Sequence, residues 1–171
     1  GPDPGGDDQI HDVLRGRLLF ERDIVSLYWG MCASFARSVE AGSPPLWNPW
    51  MGFGQPILAN PAAQAAYPPT WLNLWLAPEP YYSVYAVGHL LLASIGLFAL
   101  ARVLGLSTAG ATVAASTWTV SGPLLSYVSL WHHFAGVGWM PWVLLATKHC
   151  ARQPSVRRTL AWAAAATMQV L

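Results

Sequence analysis

The second half of the chain contains long runs of positions without a formal charge. Pro80–Ala101 is a run of 22 residues, and Val103–Thr147 is a run of 45. A helix that crosses a membrane needs about 20 mostly apolar residues, so the longer run has room for two crossings and a turn. The pattern predicts transmembrane helices over about 81–104, 108–130 and 134–150, and a truncated one from 159. A soluble helical core is the alternative, but its helices would lack a polar face for water.

Two amphipathic helical segments are predicted before these runs. The first has a weak apolar stripe at Ile10, Val13, Leu14 and Leu18. The second begins at Asp23, in the position of an N-cap, and ends at Gly42. Its stripe, with spacings of three and four, consists of Ile24, Leu27, Tyr28, Met31, Phe35, Ser38 and Val39. This spacing is typical of an amphipathic helix that lies on a membrane surface.

Residues 43–80 carry nine of the fourteen prolines, which excludes long helices there. Short turns are predicted at Ala62–Ala66 and Thr70–Leu76. Large aromatic side chains recur through the same stretch, namely Trp47, Trp50, Phe53, Tyr67, Trp71 and Trp75. A flexible linker would use Gly and Ser instead. The stretch is therefore predicted to be a structured loop that docks on the bilayer or lines a cavity.

The distribution of charge divides the chain into two unlike parts. Hydrophobic residues make up 54% of the chain and charged residues 10%, with a net charge of +1. All eight acidic residues lie before residue 80. These features exclude a disordered chain and a strongly basic nucleic-acid-binding protein. The predicted fold class is an all-α, polytopic membrane protein fragment, with residues 1–80 as an extracytoplasmic first loop and residues 81–171 as transmembrane helices.

Basic residues set the predicted orientation in the membrane. Lys148, Arg152, Arg157 and Arg158 follow the third predicted span, which places that loop in the cytoplasm. Counting back, residues 1–80 and the turn at 131–133 lie outside, with Trp131 in or near the membrane interface. An outer segment of this kind requires an upstream signal or membrane helix, and we expect that element before residue 1.

Motifs of nucleotide hydrolysis and of closed zinc sites are absent from the sequence. It contains no GxxxxGK[ST], GxGxxG, CxxC or HExxH pattern. The cysteines are Cys32 and Cys150, which the predicted topology separates by a membrane core of about 30 Å. A disulfide between them is therefore not expected.

An ordered series of short motifs resembles a known family. The motifs are Gly42–Pro49 (GSPPLWNP), Gly52–Pro56 (GFGQP), Ala59–Pro61 (ANP) and Tyr67–Pro69 (YPP), with Leu19–Asp23 upstream and Ala99–Ser107 and Trp139–Leu145 downstream. The series resembles the first outer loop and following helices of the bacterial YfhO-like membrane proteins, members of the GT-C superfamily of integral-membrane glycosyltransferases. The resemblance covers residues 18–158, and the first membrane helix and most later ones of such proteins have no counterpart in it.

The resemblance implies an enzyme of the bacterial inner membrane. Such an enzyme transfers a sugar from a polyprenyl-phosphate donor to an acceptor on the outer face, here an envelope glycan or protein. An acidic residue of the first outer loop is general base or holds a divalent metal ion, and Asp23 stands at the matching place. The family's Asp-x-Asp pair is replaced by Glu21-Arg22-Asp23, which leaves the metal open. A plain N-cap is the structural alternative for Asp23.

Basic and imidazole side chains are the next candidates for substrate binding. Arg22 and Arg37 can pair with a lipid phosphate, and the alternative for each is a lipid-headgroup contact or a solvated face. His132 and His133 are predicted on the same side as Asp23, as a proton shuttle, phosphate contact or metal ligand, or as a simple interfacial loop pair. His89 lies inside the first predicted span and is interpreted as a neutral imidazole bonded to a neighbouring helix.

Amide and aromatic side chains of the loop complete the candidate site. Asn48 and Asn60 each precede a proline, so they either cap turns or bind sugar hydroxyls. Trp47, Trp50 and Tyr67 either stack on a sugar ring or flank a polyprenyl chain, or else anchor the loop at the membrane.

Two other classes of function remain open at the level of sequence. A transporter or lipid flippase would show charged or broken helices at the membrane midplane, for which Gly122-Pro123 and His89 are the hints. A non-catalytic assembly protein would use the aromatic loop to bind a partner.

Overall fold

The computed structural model describes residues 28–50 and 52–171, and it is mostly helical with little sheet. The described residues form the helices α1 (Trp29–Glu40), α2 (Pro78–Val103), α3 (Thr108–Thr119), α4 (Gly122–Ser126), α5 (Trp131–Arg152) and α6 (Val156–Val170). A two-stranded sheet, β1 (Trp47–Asn48) and β2 (Gln55–Pro56), and two 3-10 helices, Pro61–Ala63 and Pro68–Leu74, lie between α1 and α2. The predicted helical class is confirmed.

The chain divides into two compact units. Of the described residues, the first comprises 28–50, 52–87 and Ser129–His132, and the second comprises Gly88–Val128 and His133–Leu171. The division predicted at residue 80, between an outer loop and membrane helices, stays a prediction. The short segment at 129–132 belongs to the first unit although it follows three helices later in the chain.

Helix α1 follows the predicted apolar stripe and ends where the glycine predicts. Its buried residues are Met31, Ser34, Phe35 and Ser38. Gly42 has a φ of +70°, and the Gly42 N–H donates to the carbonyl of Val39 while the Ser43 N–H donates to that of Ser38. This pair of bonds is the Schellman motif, which satisfies the last helical carbonyls. The apolar face of α1 is covered by the protein itself, with the Phe35 ring edge-on to Trp71 at 5.2 Å. The predicted start of this helix at Asp23 and the first amphipathic segment lie outside the described residues.

The proline-rich loop is built from a hairpin and the two 3-10 helices. β1 pairs antiparallel with β2, with Trp47 opposite Pro56 and Asn48 opposite Gln55. Each 3-10 helix has proline in its first turn, where the missing N–H has no cost. These short helices overlap the two predicted turns in part, and each begins one or two residues earlier than predicted. The expectation of a structured loop is therefore met by local hydrogen bonds, not by long helices.

Aromatic rings form the core of the first unit around Trp131. Its indole is surrounded by the rings of four tyrosines, Tyr28, Tyr81, Tyr82 and Tyr85, at centroid distances from 4.4 to 5.6 Å. Trp131 is 4% exposed. The indole is thus enclosed by protein, because the segment at 129–132 packs into the first unit. Its predicted depth near the membrane interface stays a prediction.

The second unit packs α2 against α5 through a small residue and an indole. The Trp142 Nε1–H on α5 donates to the Leu92 carbonyl on α2 at 2.9 Å. Gly96, one turn further along α2, leaves the space that the Trp142 ring occupies. His89 is 4% exposed, and its ring lies 5.8 Å from that of Phe134. The interpretation of His89 as a neutral imidazole bonded to a neighbouring helix stays a prediction, and the position found is buried against α5.

The predicted span over 108–130 is not one helix. α3 ends at Thr119, and α4 begins at Gly122 after Ser121, whose hydroxyl accepts a hydrogen bond from the Leu124 N–H. Ser121 is thus an N-cap, and Pro123 follows in the first turn of the new helix. The segment is apolar throughout, but the capping hydrogen bond of Ser121 starts a new helix within it. The proline of α5 behaves differently, since Pro141 lies inside a helix that continues to Arg152.

One helix among the described residues, α2, is long and apolar enough to cross a membrane by length and composition. α2 corresponds to the first predicted span. The expectation of several spans stays a prediction.

Candidate functional site

A cleft of about 370 Å³ lies in the first unit between α1 and the segment that leads into α2. Clefts of roughly 300–1,000 Å³ are the usual size of small-molecule sites. Its α1 side is lined by Cys32, Ala33, Ala36, Arg37 and Glu40, and its other side by residues 73–78. The packing of α1 against the 3-10 helix Pro68–Leu74 forms the cleft, with α2 beginning at its edge.

The cleft presents one cation, one carboxylate, one amide and one large aromatic ring. Arg37 and Glu40 are three residues apart on α1, so both side chains fall on the same helical face. Asn73 donates from Nδ2 to the Thr70 carbonyl at 2.9 Å, which fixes the orientation of its amide. Trp75 is 75% exposed. A guanidinium binds phosphate, carboxylate and amide groups bind hydroxyl groups, and an exposed indole binds the face of a sugar or an acyl chain.

Arg37 is also in contact with the hairpin. Its guanidinium carbon lies 5.7 Å from the centroid of the Trp50 ring, which is a cation–π arrangement. The Arg37 side chain is exposed. The contact with Trp50 therefore restrains the guanidinium at the rim of the cleft.

Cys32 lies between this cleft and a second, much smaller cavity. Burial raises the pKa of the Cys32 thiol to about 12, although a hydrogen bond with the Asn73 side chain acts in the opposite direction. The second cavity, about 20 Å³, is lined by Tyr28, Trp29, Cys32, Pro78, Tyr81, Tyr82 and Trp131. A space of that size holds about one water molecule. Because its pKa is raised, the thiol is neutral at ordinary pH. The larger cleft is the candidate ligand site, because the smaller cavity has room for only about one water molecule.

The structure brings one predicted substrate-binding residue, Arg37, to the cleft. Asp23 and Arg22, the predicted base and phosphate contact, lie outside the described residues. The two histidines have separate partners: His132 shares a 3.3 Å hydrogen bond with Tyr28, and the His133 ring stacks on Tyr127 at 6.2 Å. Neighbouring side chains on a helix point about 100° apart, which accounts for the different contacts of the two rings. Their predicted role at the site stays a prediction.

The asparagines of the loop have structural roles. The Asn48 side-chain oxygen accepts from the Trp50 N–H, and that of Asn60 accepts from the Ala62 N–H, each at 3.0 Å. These are the turn-capping contacts predicted as one alternative. Tyr67 is 1% exposed and packs edge-on against Tyr85, so protein covers both of its faces. Its predicted stacking on a sugar ring is not available, whereas Trp47 remains more than half exposed.

Sequence reasoning missed Glu40, Asn73 and Trp75 as members of a site. A signal for Glu40 was present, since it follows Arg37 by one helical turn. No local signal marks Asn73 or Trp75, because their meeting with α1 depends on how the 3-10 helix packs.

Among the described residues, no group of three or more His, Cys, Asp and Glu side chains is arranged to hold a metal ion. Comparison with protein-family models, curated proteins and solved structures finds no match to this chain.

Proposed function

We propose that the chain is part of a multi-pass bacterial membrane glycosyltransferase that uses a polyprenyl-phosphate sugar as donor. The resemblance of the loop motifs to the YfhO-like proteins supports the class. The observation that carries the proposal is the cleft beside α1, in which Arg37 and polar side chains meet at the start of α2. In this proposed arrangement α2 crosses the inner membrane and residues 1–80 face outward.

The position of the cleft suits a substrate that is half lipid. Pro78 lines the cleft and is also the first residue of α2, the helix with the composition of a span. The end of a span lies at the membrane interface, about 15 Å from the bilayer centre. A polyprenyl-phosphate sugar places its hydrocarbon in the bilayer and its phosphate at that level. The cleft therefore offers a cation where the donor's phosphate would lie.

Each side chain in the cleft has a distinct proposed role. Arg37 pairs with the donor phosphate through its planar guanidinium. Asn73 and Glu40 bind sugar hydroxyls, and Trp75 contacts the apolar face of the sugar or the first isoprene units. Trp47 and the histidines are secondary contacts at most in this proposal.

Asp23 is the proposed general base. The acceptor hydroxyl oxygen attacks the anomeric carbon, Asp23 takes the hydroxyl proton, and the bond from the anomeric carbon to the phosphate oxygen breaks. Polyprenyl phosphate leaves with the bonding electron pair, so a single displacement inverts the anomeric centre. No metal ion enters this sequence of steps.

The test compares four variants of the membrane-inserted protein in its bacterial host: Arg37→Ala, Arg37→Lys, Asp23→Asn and, as a control, Arg152→Ala. Arg152 is an exposed arginine of α5 that is not among the residues lining the cleft. Outer-envelope glycans are analysed by mass spectrometry, and protein levels are measured in parallel. We expect Arg37→Ala and Asp23→Asn to remove a specific sugar at normal protein levels. Arg37→Lys should retain part of it, because an ammonium keeps the charge but loses the bidentate geometry.

Unchanged glycans in both Arg37→Ala and Asp23→Asn would contradict the proposal. Loss of the sugar in Arg152→Ala as well would show that the readout follows general damage and not the cleft.

A lipid flippase is a second candidate, favoured by the break between α3 and α4. Half-helices with free ends in the membrane bind ions and headgroups in many transporters. If the protein moves a lipid, the unmodified carrier should accumulate on one leaflet in variants such as Pro123→Ala. In a transfer assay with purified protein, the same variants should show no change. Loss of transfer by purified protein carrying Arg37→Ala excludes this candidate.

A further inference from the structure

Large apolar side chains project from the hairpin of β1 and β2. Residues 46–50 and 52–58, named here the aromatic hairpin, expose Leu46, Trp47, Trp50, Phe53 and Leu58, each by more than half of its surface. Phe53 is fully exposed. Soluble surfaces seldom group several large apolar side chains in so short a segment, and such patches usually mark an interaction site.

The aromatic hairpin is held in one shape by its own contacts. Asn48 bonds the Trp50 N–H, and the Ile57 N–H donates to the Leu46 carbonyl at 2.8 Å. Gly54 lies against the Trp47 indole, where an added Cβ would be 2.5 Å from a ring carbon. Ile57 is buried at 3% exposure. The exposed rings are thus presented by a fixed turn whose inner side is packed, so their exposure is a property of the fold.

Charge is absent from the hairpin and its surroundings in the chain. The sequence has no Asp, Glu, Lys or Arg between Glu40 and Glu79. A surface for a soluble protein partner normally has a polar rim around its apolar centre. Trp with other apolar residues and no carboxylate is instead the composition favoured at the interface of a bilayer, where amphipathic rings lie at headgroup level.

The aromatic hairpin also lies next to the proposed membrane boundary. Trp50 contacts Arg37, and Arg37 lines the same cleft as Pro78, the first residue of α2. One cleft therefore joins the hairpin to the end of the helix with the composition of a span. With the apolar tip of the aromatic hairpin in the bilayer, the Arg37 guanidinium at its base would lie at the level of the lipid phosphates.

We propose that the aromatic hairpin inserts its tip into the headgroup region of the bilayer and docks the first unit on the membrane surface, with Phe53 deepest. The occupant of this surface is lipid, and the docking does not depend on glycosyl transfer. It gives the outer unit a second attachment besides α2, which fixes the height of the cleft above the bilayer.

Spin labels can measure this depth directly. The protein carrying Cys32→Ala and Cys150→Ala receives one cysteine, Phe53→Cys, Leu58→Cys or the control Gln153→Cys, and is reconstituted into vesicles of phosphatidylcholine with about a quarter phosphatidylglycerol. Gln153 is an exposed polar residue between α5 and α6. Each nitroxide is then tested for collisions with dissolved oxygen, which concentrates in lipid, and with a nickel chelate, which stays in water. Phe53 is fully exposed and Leu58 is more than half exposed, so their replacement removes little packing.

We expect the labels at 53 and 58 to gain oxygen collisions and to lose most nickel collisions relative to the label at 153, with the larger effect at 53. Equal nickel access at 53 and 153 would overturn the proposal, because the tip would be in water. A label at 53 that is immobile and shielded from both reagents would also overturn it, because the tip would be packed against protein, such as a second copy of this chain. Neither outcome depends on the glycan analysis, so this proposal and the proposed function can fail separately.

Discussion

The indole of Trp131 stacks on the ring of Tyr85, with 4.4 Å between the ring centroids and 7° between the ring planes. Trp131 is the first residue of α5, and Tyr85 lies 46 positions earlier in α2. The same indole contacts three more tyrosines of the first unit. The segment at 129–132 is therefore held in the first unit by one side chain that the surrounding rings enclose.

Replacement of Trp131 by alanine should destabilise the first unit more than any other single truncation in that cluster. Removal of a fully packed indole leaves a cavity and costs about 3–5 kcal/mol in the free energy of unfolding. Trp131→Phe should lose less, since one ring still stacks on Tyr85. Denaturant unfolding in detergent, with proteolysis of the first unit as the readout, measures the difference in the free energy of unfolding.

The control for this prediction is Phe53→Ala, which removes an aromatic ring from a fully exposed position. Its effect in detergent should stay within about 0.5 kcal/mol. Equal losses in Trp131→Ala and Phe53→Ala would show that the cluster does not stabilise the unit.

Two glycines of the aromatic hairpin should respond differently to alanine. Gly54 has a φ of +96°, and its added Cβ would clash with the Trp47 ring, whereas Gly52 has a φ of +60° with open space around it. We expect Gly54→Ala to cost about 1–3 kcal/mol from backbone strain and the displaced ring. Gly52→Ala should cost about 1 kcal/mol from the left-handed conformation alone.

Hydrogen exchange at the Ile57 amide, which donates to the Leu46 carbonyl, reports the stability of the hairpin. Faster exchange in Gly54→Ala than in Gly52→Ala is the expected order. The reverse order would mean that the Trp47 ring is not seated over Gly54 in solution.

Local sequence pattern predicted the parts of the fold that depend on local contacts. The stripe through Met31, Phe35 and Ser38 and the stop at Gly42 were predictable, because helical spacing and a left-handed glycine act within a few residues. The break after Thr119 was not predicted, since hydropathy does not register a serine that caps a new helix. The burial of Trp131 was missed because it depends on a contact across 46 positions of sequence.

In the candidate site too, residues with a local signal were predicted and residues placed by distant packing were not. Arg37 was predicted from its charge and its place in the loop, although a resemblance and not geometry suggested its role. Asn73 and Trp75 carry no motif and reach the cleft through the packing of a 3-10 helix on α1. The buried position of Tyr67 could not be predicted either, because a run of aromatic residues does not tell which rings face inward.

Cys32 should be nearly inert toward alkylating reagents in the folded protein. Its thiol pKa of about 12 compares with about 8.5 for a free cysteine, so at neutral pH its thiolate fraction is lower by about three orders of magnitude. In a Cys150→Ser background, the rate of iodoacetamide reaction should rise by a similar factor when the protein is unfolded in urea. Asn73→Ala removes the hydrogen bond that favours the thiolate, so the folded rate should fall further. A folded rate close to that of the unfolded chain would contradict the buried environment of the thiol.

The same thiol should give the stability a dependence on alkaline pH. Above about pH 8.5 the unfolded chain releases the Cys32 proton while the folded chain retains it until the pH approaches 12. The unfolded state then binds fewer protons, so the free energy of unfolding falls as the pH rises through this window. Cys32→Ala should lack this part of the pH dependence. Urea unfolding of the two proteins between about pH 8 and 10.5, which begins near the pKa of a free thiol, measures the difference. Parallel curves would show that the thiol ionises equally in both states.

Two helical glycines of the second unit provide the sharpest test of the packing between α2 and α5. A Cβ at Gly96 would lie 2.6 Å from the Trp142 Nε1, and would push the indole away from the Leu92 carbonyl to which it donates. A Cβ at Gly138 would meet His89 at 3.4 Å or more, which is ordinary contact. Gly96→Ala should therefore cost about 1–3 kcal/mol as overpacking. Gly138→Ala should be neutral or stabilising by up to about 1 kcal/mol, because alanine favours the helix.

A double-mutant cycle separates this clash from a general effect of alanine in α2. In a Trp142→Phe background the smaller ring vacates the space beside Gly96 and no longer donates to Leu92. Since the clash is with the indole, Gly96→Ala should cost less there than in the native background, with a coupling of roughly 1 kcal/mol or more. Thermal unfolding of the four proteins in the same detergent gives the coupling energy. Strictly additive losses would mean that Gly96 and Trp142 do not touch, and the close approach of α2 to α5 would then have to rest on other residues.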